Sequence, residues 1–216
     1  MADMNTIADR LADITAQLDK RVKLIAVSKR QPEPRVEAAL KAGHRIFGEN
    51  QLQEAQARWQ GRRSTCPDLE LHMLGPLQSN KVKEAVALFD AIHSLDREKI
   101  ARKLASEIRN QGRDPALFIQ VNTGEETQKS GVLPKDLEAF YAFCTKECDL
   151  TITGLMCIPP LSEPPALHFA LLKRLAGRLG LDDVSMGMSS DYKKALDLGS
   201  TYIRVGSEIF GAREEG

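Results

Sequence analysis

The chain has 216 residues, 42% of them hydrophobic, and its 30 basic and 30 acidic side chains cancel to a formal net charge of zero. That length supports one full hydrophobic core, so a single domain over residues 1–216 is expected. Balanced charge excludes the strong positive field that recruits nucleic acid or anionic membranes, and no apolar run approaches the roughly 20 residues of a membrane span.

Residues 5–18 place Ile7, Leu11, Ile14 and Leu18 at helical spacing, which predicts an amphipathic opening helix packed on the outside of the fold. The same stretch alternates acidic and apolar residues where a signal peptide carries a basic start, so the expected compartment is the cytoplasm. From Leu24 onward, short runs rich in Ile, Val, Leu and Phe alternate with longer segments of helical period. Strands are expected at 24–29, 45–48, 70–74, 91–95, 116–122, 151–157, 183–187 and 201–205. Helices are expected at 33–42, 50–60, 79–88, 97–111, 134–147, 165–179 and 191–198, with Ser79, Asp96 and Asp191 at cap positions.

Eight strands each followed by a helical segment specify a parallel α/β architecture, and the count favours one closed (β/α)8 TIM barrel. An open doubly wound sheet is the alternative, but Ser28-Lys29-Arg30-Gln31-Pro32 follows the first strand where a glycine-rich fingerprint would stand. In such barrels the chemistry sits at the C-terminal ends of the strands, and the loops after strands seven and eight commonly hold a phosphate. Here those loops lie in Val184-Ser-Met-Gly-Met-Ser-Ser-Asp191 and Tyr202-Ile-Arg-Val-Gly-Ser-Glu-Ile-Phe-Gly211. Hydroxyls at Ser189 and Ser207 and backbone N–H groups at Gly206 and Ser207 suit a phosphate dianion. Cys66, Cys144, Cys148 and Cys157 lack a metal-binding spacing and read as ordinary small residues.

Lys29 ends the first strand, with Ile25 and Val27 on the same inward face if the lysine also points inward. Desolvation there would lower its pKa, and a neutral amine attacks a carbonyl; taken alone, the residue reads first as a solvated lysine at a strand end. Together with the distant phosphate loops, this lysine suggests a phosphorylated aldehyde as ligand. Arg204 stands where a barrel strand would take an apolar residue, so it needs an acidic partner on a neighbouring strand or a ligand to serve. His72, in Leu71-His-Met-Leu-Gly75, reads first as a satisfied core residue. Asn50 reads as a helix cap, Asn122 as an amide presented to the barrel mouth, and Lys129 as a solvated loop charge.

Seven blocks in order carry a resemblance to a known family. They are Ala26-Val-Ser-Lys29, Phe47-Gly-Glu-Asn50, His72-Met-Leu-Gly-Pro-Leu-Gln-Ser-Asn-Lys81, Val121-Asn122 with Lys129-Ser-Gly131, Gly154-Leu-Met-Cys-Ile-Pro-Pro160, Ser185-Met-Gly-Met-Ser189 and Arg204-Val-Gly-Ser-Glu-Ile-Phe-Gly-Ala-Arg213. Over nearly the whole chain these resemble the YggS/PROSC family of pyridoxal-phosphate-binding proteins. The resemblance implies a barrel similar to the N-terminal domain of alanine racemase, with pyridoxal 5′-phosphate (PLP) at its mouth and a role in vitamin B6 and amino-acid homeostasis. By that likeness Lys29 would hold the cofactor aldehyde as a Schiff base and Arg204 would face the pyridine nitrogen. Ser189, Gly206 and Ser207 would cradle the phosphate, and Asn50 and His72 would line the pocket near the ring. It also implies no robust catalytic activity, a monomer, and PLP-dependent apoenzymes as the partners that receive the cofactor.

An arginine cannot accept the pyridinium proton, which leaves the ring a weak electron sink. Alanine racemase takes a second acid/base from an additional domain, for which 216 residues leave no room. The competing readings are a PLP-dependent racemase or transaminase with a base supplied by Lys29 alone or by a partner, and a class I aldolase-like barrel using Lys29 as a Schiff-base amine on a phosphosugar. Proton exchange at the alpha carbon of an amino acid would mark the first, and a colourless protein the second.

Overall fold

The computed structural model describes residues 6–212. Every expected apolar run from Leu24 onward is a strand: β1 (Lys23–Val27), β2 (Ile46–Glu49), β3 (Glu70–Met73), β4 (Ala91–Leu95), β5 (Ala116–Val121), β6 (Ile152–Cys157), β7 (Asp183–Met188) and β8 (Tyr202–Val205). They pair in parallel in sequence order, and β8 closes on β1 with Ile25 opposite Arg204. The alternating pattern of β1 sorts its side chains as the pleat requires. Leu24 and Ala26 pack outward into the layer under the helices, while Ile25 joins Leu74, Phe118, Met156 and Tyr202 inside the barrel.

Two glycines make that interior possible. A Cβ on Gly48 would lie 2.5 Å from Leu74 and 2.8 Å from Ile25, and one on Gly154 would lie 2.8 Å from the Phe118 ring. With hydrogen at both positions, Leu74 closes the barrel's upper end and Phe118 fills its centre.

The outer layer comprises α2 (Glu33–Lys41), α3 (Leu52–Trp59), α4 (Val82–Leu88), α5 (Glu98–Gln111), α6 (Leu137–Ala142), α7 (Pro165–Arg178), α8 (Tyr192–Asp197) and α9 (Ser207–Phe210). α1 (Ile7–Thr15) packs against α2 and α9, with Leu11 and Ile14 buried; it starts on a capping box in which Thr6 and Asp9 exchange hydrogen bonds. Of the expected opening helix, residue 5 lies outside the described residues, as does Arg213 at the other end.

Several boundaries and caps differ from the sequence reading. β1 stops at Val27 because the next residues turn toward α3, so Lys29 sits two residues beyond the strand. The cap of α4 is Lys81 rather than Ser79, that of α5 is Arg97 rather than Asp96, and that of α3 is Gln51 rather than Asn50. Asp191 does stand at the cap of α8, but its carboxylate turns back to accept the Met188 N–H at 2.6 Å. The expected helix 134–147 is a 3-10 turn, then α6, then a π turn through Glu147.

Candidate functional site

Barrel closure brings Lys29 and the phosphate-type loops, more than 150 residues apart in sequence, to one rim. A cavity of about 300 Å³ opens there, lined by Lys29, Asn50, Ser189, Arg204, Gly206 and Ser207, with Val27, Leu74, Ile158 and Met188 as apolar wall. That volume is at the lower end of small-ligand sites. Ser189 Oγ accepts the Gly206 N–H at 3.2 Å, which ties the loop after β7 to the loop after β8. A larger cleft of about 670 Å³ shares Asn50 and lies over the β2–α3 and β3–α4 loops, where Gln51, Gln53, Gln78 and Arg97 stand over the buried Leu52, Met73 and Leu77.

Arg204 is 4% exposed and has no carboxylate partner among the described residues. Its Nη1 donates to Ser185 Oγ at 2.7 Å and its Nη2 to the Cys157 carbonyl at 2.8 Å. Burial lowers its pKa from the usual arginine value, and burial also pushes the neighbouring Cys157 thiol up to about 12, so that thiol supplies no countercharge. A guanidinium carries five N–H donors. Here neutral acceptors take two of them, and the same side chain lines the cavity.

Below Arg204 a chain of polar groups runs through the barrel interior. Ser185 Oγ lies 2.9 Å from His93 Nδ1, His93 Nε2 lies 2.8 Å from His72 Nδ1, and His72 Nε2 lies 2.9 Å from Glu70 Oε1. Lys23 Nζ donates to both Glu70 oxygens, at 2.9 and 3.2 Å. The hydrogen bond from His72, then that from Lys23, holds the Glu70 carboxyl down to about 2, against the opposing effect of burial. An ionised carboxylate only accepts, so the proton of His72 is on Nε2 and its Nδ1 accepts from His93. His93 then accepts from the Ser185 hydroxyl, which leaves the serine's lone pairs for Arg204. The chain therefore has one direction, from the guanidinium to the carboxylate. His93 stacks on Phe118 at 4.2 Å, and both histidines are fully buried.

His72 is accordingly placed in the core, beneath the cavity and off its lining, and is linked to Arg204 through His93 and Ser185. Asn50 does line the cavity. Asn122, expected at the mouth, instead folds its amide back onto Glu126, donating at 2.8 Å and accepting at 3.2 Å to close its own loop. Lys129 is paired with Glu126 at 2.6 Å rather than simply solvated. His93 and the role of Ser185 were missed; the only signal was a polar residue inside the apolar runs 91–95 and 183–187. Among the described residues no cluster of three or more metal-ligating side chains occurs, and no helix is long and apolar enough to cross a membrane. The four cysteines are free thiols.

A lysine, a buried arginine and two serine-bearing loops on the C-terminal face of a closed parallel barrel define a protein of the alanine-racemase barrel class. The family model described as alanine racemase, N-terminal domain, matches residues 2–214. A curated protein of Pseudomonas aeruginosa named "Pyridoxal phosphate homeostasis protein" is 42% identical, the match covering 99% of this chain and 98% of that protein. Among solved structures, PipY of Synechococcus elongatus without PLP matches at a TM-score of 0.89 and 41% identity, over 95% of this chain and 100% of that one. PipY with PLP bound matches at 0.86 and 40%, with the same coverage. The chain belongs to the YggS/PROSC family, the pyridoxal phosphate homeostasis proteins.

Proposed function

We propose that the chain is a single PLP-binding domain that holds the cofactor reversibly and serves vitamin B6 and amino-acid homeostasis. The observation that carries this reading is one 300 Å³ cavity lined at once by a primary amine (Lys29), a buried guanidinium (Arg204) and the Ser189, Gly206 and Ser207 rim. The residues fit the group. PLP supplies an aldehyde that condenses reversibly with a primary amine, and Lys29 is the amine lining the cavity. Ser207 and Gly206, with the Ser189 hydroxyl already bonded to the Gly206 N–H, would receive the phosphate. Arg204 would donate toward the ring nitrogen, its orientation fixed from behind by Ser185 and the Cys157 carbonyl. Asn50 would stand at the ring edge.

Holding rather than turnover is supported by the cavity's lining, in which, among the described residues, Lys29 and Arg204 are the charged groups and neither histidine nor a carboxylate takes part. Racemisation needs an acid/base on each face of the reacting carbon. We propose further that the protein acts as a cytoplasmic monomer that releases PLP to apoenzymes. Its zero net charge and free, largely buried cysteines are compatible with that setting.

The test is borohydride reduction of the PLP-loaded protein followed by peptide mass mapping. A pyridoxyl group on Lys29, lost in Lys29→Ala, is the expected result. A modified lysine elsewhere, or undiminished labelling of Lys29→Ala, would overturn the assignment. Deuterium exchange at the alpha carbon across a panel of amino acids tests the carrier reading, which predicts none.

A further inference from the structure

The residues around Lys29 are held by a buried charged cluster outside the barrel. Arg58, on α3, donates to the Ser28 carbonyl at 2.8 Å through Nη1 and to the Gln31 carbonyl at 2.8 Å through Nη2. It therefore spans the turn that carries the lysine. The same Nη1 lies 2.8 Å from Glu49 Oε1, and that oxygen also accepts from the Ser28 hydroxyl at 2.7 Å and from Trp59 Nε1 at 3.0 Å. The backbone N–H of Arg30 donates to Glu54 Oε1. Arg30 itself has φ of 54°, a left-handed conformation uncommon for a residue with a side chain. The residues on both sides of Lys29 are thus fixed, one by β2 and α3 and the other by α3 alone.

This arrangement is more than a surface salt bridge. The Glu49 side chain is fully buried and its second oxygen has no partner among the described residues. Burial raises its pKa despite the Arg58 charge beside it. A buried ion pair is seldom the most stabilising filling for such a space, and its better-attested use is to specify geometry. What it specifies here is the backbone direction from which the Lys29 side chain departs. Peptide groups are the point of contact, so the clamp works whatever occupies the cavity.

We propose that Arg58, Glu49 and Glu54 are positioning residues that hold the Lys29 turn so that its amine meets the cofactor aldehyde; the proposal rests on the assignment of Lys29 above. In that condensation the Lys29 nitrogen forms a C=N bond to the aldehyde carbon, and the aldehyde oxygen leaves as water with the two protons of the neutral amine. Its rate depends on how narrowly the amine is confined, and a displacement of about 1 Å can cost a reacting pair up to about 100-fold. The contacts of Arg204 and of the phosphate loops come from β8 and the loops after β7 and β8, and do not pass through the turn or the clamp.

Two sets of variants separate positioning from folding. The pair Arg58→Met with Glu49→Leu removes both charges together and leaves no buried orphan ion, and Glu54→Ala removes the acceptor for the Arg30 N–H, which Glu54→Gln restores. Two readouts are taken on each: the rate at which PLP becomes trappable by borohydride on Lys29, and the affinity for pyridoxamine 5′-phosphate, which has the same ring and phosphate but no aldehyde. The expected result is condensation slowed about 10- to 100-fold in Glu54→Ala and in the double variant, pyridoxamine 5′-phosphate affinity unchanged, and the wild-type rate in Glu54→Gln. Wild-type condensation rates in Glu54→Ala would overturn the clamp while leaving Lys29 in place. A parallel fall in both readouts would also overturn it, since the cluster would then only support the pocket's fold. Trapping of wild-type protein at a lysine other than Lys29 would instead overturn the assignment on which the clamp depends.

Discussion

Replacing His93 by leucine tests the chain of groups beneath Arg204 most directly. The leucine is close in volume, so packing changes little, but two buried partners lose their mates: the His72 Nδ1 acceptor and the Ser185 hydroxyl. An orphaned buried polar group costs about 1–3 kcal/mol, and loss of the 4.2 Å stack on Phe118 about 0.5–1.5 kcal/mol more. The relief of no longer burying an imidazole offsets part of this, so the expected loss is about 3–5 kcal/mol. That is a large share of the roughly 5–15 kcal/mol that holds a typical domain together. Urea unfolding followed by circular dichroism at pH 7.5 would read it as a lower midpoint; a loss below about 1 kcal/mol would refute the chain as drawn.

The same variant carries a pH signature with a defined sign. Burial above all, with the Arg204 guanidinium nearby, holds the His93 pKa well below the usual 6.5. The folded state therefore keeps it neutral where the unfolded state binds a proton, and stability falls as pH drops below about 6.5. One such group changes the slope by about 1.4 kcal/mol per pH unit. The stability difference between wild type and His93→Leu should accordingly shrink between pH 6.5 and 5. His44, whose pKa is also lowered by burial, is common to both proteins and cancels. Glu70, ionised down to about 2, leaves that window unaffected. A difference that stays constant from pH 7 to 5 would show that His93 is not held neutral.

Arg204→Lys should weaken pyridoxamine 5′-phosphate about 10- to 100-fold, the equivalent of one charge-assisted hydrogen bond, because a point charge cannot reach Ser185, Cys157 and the ring at once; calorimetric titration within twofold of wild type would contradict this. Ser207→Ala should weaken PLP about tenfold, and leave pyridoxal, which lacks the phosphate, unchanged; equal weakening of both ligands in a fluorescence titration would remove Ser207 from the phosphate site.

The architecture was legible because each strand is short, apolar and separated from the next by a helical segment, and because eight such units close a barrel in sequence order. Lys29, Ser189, Arg204, Gly206 and Ser207 could be nominated for the same reason: barrel topology gathers the ends of strands at one rim; Asn50, read from its position as a helix cap, was set near the ring only by the family resemblance. His72, read from its strand as a satisfied core residue, is one; only the family resemblance set it near the ring, since a motif gives a residue's neighbours in sequence but not its depth along the barrel axis. Asn122 turned inward on its own loop because a short polar side chain finds local backbone partners before distant ones.

What the sequence determined by itself is the pattern of strand and helix, and the residue types at the strand ends, because periodicity and composition are local properties of the chain. Only the tertiary structure decided the rest. The partner of Arg204 is a neutral serine and a carbonyl rather than an acid, and two histidines from adjacent strands meet at 2.8 Å. Arg58, on the helix after β2, grips the turn after β1. The physical reason is common to all three: a hydrogen bond depends on distances of about 3 Å between atoms that lie tens of residues apart, and barrel closure alone sets those distances.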